Sequence, residues 1–108
     1  SSKLKDPESL FKYYREIIEI EPYIRRHRNV LAVEQFNAGQ PENALATLDK
    51  AKETYGDEGS VPLTLRTRAY IELNRLEEAD ECVLALQVRS PNHPAINKLK
   101  DAIADKRP

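Results

Sequence analysis

Between residues 31 and 51, LAVEQFNAGQPENALATLDKA, two stripes at helical spacing flank a short polar break. Leu31, Ala32, Gln35 and Phe36 fall on one face of a first helix, and Ala44, Leu45, Leu48 and Ala51 on one face of a second, because side chains three and four apart share a side of the helix. Gly39 can take the left-handed backbone that ends a helix, and Pro41 lacks an N–H that a first helical position leaves unpaired anyway. Gly39-Gln40-Pro41 therefore closes one helix and opens the next. The small residues Ala32, Ala44 and Ala51 let two antiparallel helices joined by so short a turn approach closely.

The same pattern extends in both directions. Asp6-Pro7-Glu8 is a helix start, with a capping carboxylate, a proline at the first position and an acid in the positive first turn. It opens a helix over about Pro7 to Glu21 with Leu10, Tyr14, Ile17 and Ile18 on one side and Phe11 adjoining, ended by Pro22. A second helix is expected from about Tyr23 to Ala38 and a third from Pro41 to Tyr55, closed by Gly56. Ser60 is the expected N-cap of a fourth reaching Leu73, after the polar loop Asp57-Glu58-Gly59-Ser60. The fifth runs from Leu76 to Arg89 with Ala79, Val83 and Leu86 inward. Asn92-His93-Pro94 opens the last, whose Ile96, Leu99 and Ile103 form a narrow apolar stripe under a charged outer surface. Ser1 to Lys5 is a polar tail, frayed or derived from cloning.

These stripes are in register. Ala79, Val83 and Leu86 follow Ala44, Leu48 and Ala51 by 35 (79 − 44), and Asn74 follows Gly39 by the same step. Upstream, Leu10, Tyr14, Ile17 and Pro22 precede Ala44, Leu48, Ala51 and Gly56 by 34 (44 − 10). Helix–turn–helix units at such a period point to stacked helical repeats, in which each hairpin keeps one face apolar until a neighbour covers it.

On these residues the chain resembles the tetratricopeptide repeat family, whose units carry a Trp, then Leu-Gly and Tyr in the first helix and Ala-x-x-x-Phe with a closing Pro in the second. The first full unit offers Leu31-Ala32 and Ala44-x-x-x-Leu48, with Arg28, Gln35 and Gly56 in place of Trp, Tyr and Pro. The second offers Thr67, Tyr70, Ala79-x-x-x-Val83 and Pro91, with Leu63 for the Trp and Arg66 in the leucine's place. The upstream half unit keeps Leu10-x-x-x-Tyr14 and Pro22. The resemblance implies an all-α, right-handed stack of antiparallel helical hairpins, a solenoid of about six helices: half repeat 7–22, repeats 23–57 and 58–91, capping helix 92–106. Starting within a repeat, the chain reads as a piece of a larger protein.

Composition agrees. At 108 residues, 40% apolar and 32% charged, the sequence suits one domain of helices rich in Ala, Leu, Glu and Lys. A net charge of −1 gives no global field to draw in nucleic acid. No apolar run approaches the roughly 20 residues of a membrane span, so no membrane insertion is expected. No charged-then-apolar leader is seen, and the expected compartment is cytoplasmic. The lone Cys82 reads as a small apolar residue at a helix interface.

No catalytic constellation emerges. His27 and His93 are 66 positions apart (93 − 27), each among polar neighbours, and no Cys or His pair has metal-ligand spacing. There is no Gly-rich phosphate loop. Acidic pairs such as Glu77-Glu78 and Asp80-Glu81 read as solvated helix faces. The run Arg25-Arg26-His27-Arg28 is likewise spread around a helix and offset by Glu19 and Glu21, leaving Arg26 as its one candidate for a binding contact. No enzyme activity, cofactor, metal or small-molecule substrate is expected.

In the family that the chain resembles, the first helix of each hairpin lines a groove for an extended or helical peptide. Steps of three and four then give the candidates: Arg26, Asn29, Val30, Val33 and Asn37 on the second helix, and, 35 positions on, Val61, Thr64, Leu65, Arg68 and Glu72 on the fourth. Asn29 and Asn37 could bond a peptide backbone, Val33 and Leu65 offer apolar contact, and Arg68 pairs a carboxylate. The carboxylate clamp by which one family variant docks heat-shock chaperones is not reproduced, since Asn29, Val33 and Leu65 occupy its positions and Lys98 alone does not restore it. The expected role is a protein- or peptide-binding scaffold within a larger protein; the alternative is an architectural or oligomerisation segment with no free peptide ligand. The first helix lacks an upstream partner, so Phe11, Tyr14 and Ile18 are expected to stay partly uncovered and support a homodimer.

Overall fold

A computed structural model of the chain describes residues 6–56 and 58–108. The proposed tail at 1–5 and Asp57 lie outside them. The described residues form six α-helices and no strand: α1 (Pro7–Ile20), α2 (Arg25–Asn37), α3 (Pro41–Tyr55), α4 (Ser60–Glu72), α5 (Leu76–Arg89) and α6 (Ala95–Lys106). They divide into two compact units meeting at residues 56 and 57.

In the first unit α1 packs on α2 and α2 on α3. Asp6 caps α1, its carboxylate accepting from the Glu8 N–H at 3.3 Å. The α2–α3 hairpin closes as the sequence dictates. Ala44 is 0% exposed, and Leu31, Ala32, Leu45, Leu48 and Ala51 are buried with it. Gln35 is buried too; its Oε1 accepts from the Thr47 hydroxyl at 2.5 Å, which satisfies the one polar side chain on that stripe. α2 starts at Arg25 rather than Tyr23, because Pro22-Tyr23 is spent on a turn in which the Tyr55 hydroxyl donates to the Pro22 carbonyl at 2.7 Å.

The second unit packs α4 on α5, with α6 against both. Its core joins Leu63, Ile71, Ala79, Val83, Leu86, Ile96, Leu99 and Ile103. Ala79 is 0% exposed, like its counterpart Ala44. Ser60 is the first helical residue and Gly59 the cap position, a correction of one place. The Ser60 hydroxyl is instead paired with that of Ser90 at 2.9 Å, which ties the start of α4 to the end of α5. His93 Nδ1 accepts from the Ala95 N–H at 3.1 Å at the start of α6. An ion pair of Arg107 with Asp80 links the far end of α6 to α5.

The period of 35 is visible in the backbone hydrogen bonds of the two hairpin turns. Gly39 and Asn74 both have positive φ, 80° and 58°. The Gln40 N–H donates to the Gln35 carbonyl at 2.9 Å, and the Arg75 N–H donates to the Tyr70 carbonyl at 2.8 Å. Gly39 N–H to Phe36 carbonyl is matched by Asn74 N–H to Ile71 carbonyl, both 3.0 Å. In each case a left-handed residue lets the chain reverse while the last carbonyls of the helix stay paired. Asn is among the few residues with a Cβ that tolerate this conformation, which is why it can stand where the first turn has glycine.

One expectation is overturned here. Phe11 is 1% exposed, Ile18 is buried, and both cluster with Leu31, with Tyr14 half-buried against them. Phe11 and Ile18 are therefore covered from within the chain, where α1 packs on α2, and Tyr14 is covered in part.

Candidate binding surfaces

On α2 the residues opposite the packed stripe remain accessible to different degrees. Arg26 and Asn37 are exposed, and Asn29 and Val33 are half-buried. The basic run at the start of the helix is divided among separate tasks. The Arg25 guanidinium lies 5.3 Å from the centre of the Tyr55 ring, a cation–π distance. His27 Nε2 is 3.0 Å from the Glu21 carboxylate. Arg28 is half-buried, and only Arg26 of the four is exposed. Two polar atoms on this helix, Arg28 Nε and Asn29 Oδ1, are shut off from solvent without a hydrogen-bond partner. Each such atom costs roughly 1–3 kcal/mol, which a ligand that completes the bond recovers.

On α4 the outcome is mixed. Arg68 and Glu72 are exposed, one turn apart. Thr64 is half-buried, and its hydroxyl donates to the Ser60 carbonyl at 2.8 Å. Leu65 is buried, which corrects its assignment as an accessible apolar contact. Pro62, Leu63, Leu65, Arg66, Thr67, Ala69 and Ile71 are all buried, so α4 is enclosed on more than one side, polar positions included. Val61, on the same stripe, is exposed.

Sequence reasoning missed the centre of the second unit. The side chains of Arg66 and Glu58 are both buried, at 8% and 7% exposure. The guanidinium grips the carboxylate in a fork, Nε to Oε2 at 2.9 Å and one terminal nitrogen to Oε2 at 2.8 Å. Arg89 Nε donates to the Glu58 carbonyl at 2.7 Å, so the residue is held by α4 and α5 together. Glu58 thus belongs to the interior, not to a solvated loop. The one signal was an arginine among the apolar positions of α4.

Cys82 packs beside this pair, buried as expected. Burial pushes its thiol up from 9.0 to about 11, opposed by the nearby Arg66 charge and a hydrogen bond with Thr67 and reinforced by Glu58 and Glu81. The folded chain holds this proton more tightly than the unfolded chain does. Its contribution to stability is complete below about pH 9 and is lost as pH rises towards 11. Iodoacetamide at pH 8 should therefore label native Cys82 at least about 100-fold more slowly than the urea-unfolded chain, and the urea midpoint should fall between pH 9 and pH 11. Equal labelling rates would place the thiol in solvent.

Among the described residues no group of three or more His, Cys, Asp or Glu is placed to hold a metal ion, and no helix is long and apolar enough to cross a membrane. Further large apolar side chains stand in water: Tyr13 on α1, Ile20, Tyr23 and Ile24 at the α1–α2 turn, and Leu84 and Val88 on the outer side of α5. Comparison with known proteins gives no match to a family model, a curated protein or a solved structure.

Proposed function

We propose that the chain is a protein-binding module of tetratricopeptide-like hairpins, working in the cytoplasm as part of a larger protein and taking its partner as a peptide on the accessible face of α2, with the corresponding face of α4 as a second candidate surface. The carrying observation is Asn29, whose side-chain oxygen is withdrawn from water without a donor on the face it shares with Arg26, Val33 and Asn37. A peptide N–H meets the Asn29 oxygen once that side chain turns outward, and Val33 supplies apolar contact beside it; on α4, Arg68 with Thr64 and Glu72 offers charge and polarity on its own face. Such a site needs no cofactor and turns over no substrate.

Peptides selected from a displayed library against the wild-type chain test this reading. Arg68→Glu and Val33→Asp together should raise their Kd at least tenfold, because one lost charge-assisted contact is worth about 1.5–3 kcal/mol. The melting temperature should hold within a few degrees. Unchanged Kd values would move the peptide site elsewhere, and unfolding would show that Val33 is core. A second reading, an architectural segment that joins copies of its parent, is favoured by the exposed Ile20, Tyr23, Leu84 and Val88.

A further inference from the structure

α1 carries a second apolar row, which the fold leaves open. Tyr13, Ile17 and Ile20 stand four and three positions apart and share one face of the helix. Tyr13 is 51% and Ile20 78% exposed, with Ile17 half-buried between them. This is not the Phe11 and Ile18 side, which α2 covers. Beside the apolar row, one position earlier at each step, runs an exposed row of charges, Lys12, Glu16 and Glu19. Basic at its first place and acidic at its last, the charged row is complementary to its own reverse. The Tyr13 ring already stands edge-on against Tyr14, 5.4 Å between centres, so little side-chain freedom is lost when it is covered.

We propose that α1 pairs with α1 of a second copy of this chain, antiparallel about a two-fold axis near Glu16 and Ile17. Facing helices that run in opposite directions keep the same flank on the same side. Lys12 of each copy therefore meets Glu19 of the other, and Tyr13 meets Ile20 along the apolar row. Such a contact is isologous and closes at two copies. Glu16 faces its own counterpart near the axis, the one unfavourable pairing. All of these residues lie on one helix, so the contact draws on no residue of the α2 peptide face and on nothing in the second unit. It rests on the second reading above, the architectural segment, and names the face that joins the copies. Three apolar side chains from each copy make a small interface, in the weak class below about 1,200 Å².

Sedimentation velocity between about 10 µM and about 1 mM, the range in which weak contacts dissociate, tests this. The wild-type chain should pass from monomer to dimer and stop there. Tyr13→Ser and Ile20→Ser, both at exposed positions, should each weaken association at least about tenfold with unchanged helicity. Lys12→Glu should weaken it about fivefold, through two symmetric pairs, and Lys12→Glu with Glu19→Lys should restore it. Glu16→Gln should tighten the dimer, because it removes the like charges at the axis. A strict monomer at the highest concentration overturns the proposal and the architectural reading with it. Growth past dimer, a dimer unmoved by Tyr13→Ser, or a charge reversal that Glu19→Lys does not rescue overturns the α1 contact and leaves the architectural reading standing.

Discussion

Ala79→Glu is expected to lower the melting temperature by at least about 10 °C. Ala79 is 0% exposed and packed among Leu63, Val83 and Leu86 where α4 and α5 are joined by a tight turn. A glutamate there adds volume at a fully buried position and brings a charge among apolar side chains. Overpacking alone costs about 1–3 kcal/mol, and a buried uncompensated charge adds several more. Against a total stability of about 5–15 kcal/mol this removes a large share of the folded population. At about 4–8 °C per kcal/mol for a small domain, even the lower figures give the stated shift. A melting curve within a couple of degrees of wild type would show that the α4–α5 contact is looser than the structure has it.

Glu58→Ala should be nearly as damaging, by about 3–5 kcal/mol, although it removes a residue from a connecting segment. The Arg66 guanidinium stays buried after its carboxylate is gone, and a buried charge deprived of its ion-pair partner is what makes such truncations costly. Removing both charges is different. Glu58→Leu with Arg66→Met keeps the volume, avoids desolvating either ion, and should fall within about 1–2 kcal/mol of wild type or exceed it. Urea unfolding of Glu58→Leu, Arg66→Met and the double variant forms a cycle that isolates the coupling. If the double variant loses as much as the sum of the single ones, the pair is not coupled and the fork contributes nothing specific.

Most of the helical frame was legible before the structure. α3 and α5 begin and end where Pro41, Tyr55, Leu76 and Arg89 were expected to put them. Their stripes are strongly periodic, and proline or a left-handed turn residue stands at the junctions. Local chemistry settles such features. What escaped depended on which faces meet a neighbour. Periodicity gives Leu65 a side of α4, but not whether that side is enclosed. It gives Phe11 and Ile18 a stripe, but not that α2 covers it. The Glu58–Arg66 fork was hidden for another reason: Asp57-Glu58-Gly59-Ser60 has the composition of a solvated loop, and a charge is buried only when a partner from elsewhere in the chain meets it. Ile20, Tyr23, Leu84 and Val88 went unread because single exposed apolar residues are ordinary.

Among the proposed binding residues, sequence periodicity selected Arg26, Asn29, Asn37, Arg68 and Glu72, and each is exposed or half-buried in the fold. The unfilled Asn29 oxygen could not have been anticipated, since it depends on how the side chain is enclosed once α2 is packed.

The measurement that bears most directly on the binding reading is amide and side-chain NMR of the labelled chain titrated with a library-selected peptide. The Asn29 side-chain amide should shift first and farthest, followed by the backbone amides of Val33 and Asn37 on the same helix, all tracking one binding curve. Shifts confined to α5 and α6, with the Asn29 amide unmoved at saturation, would contradict it.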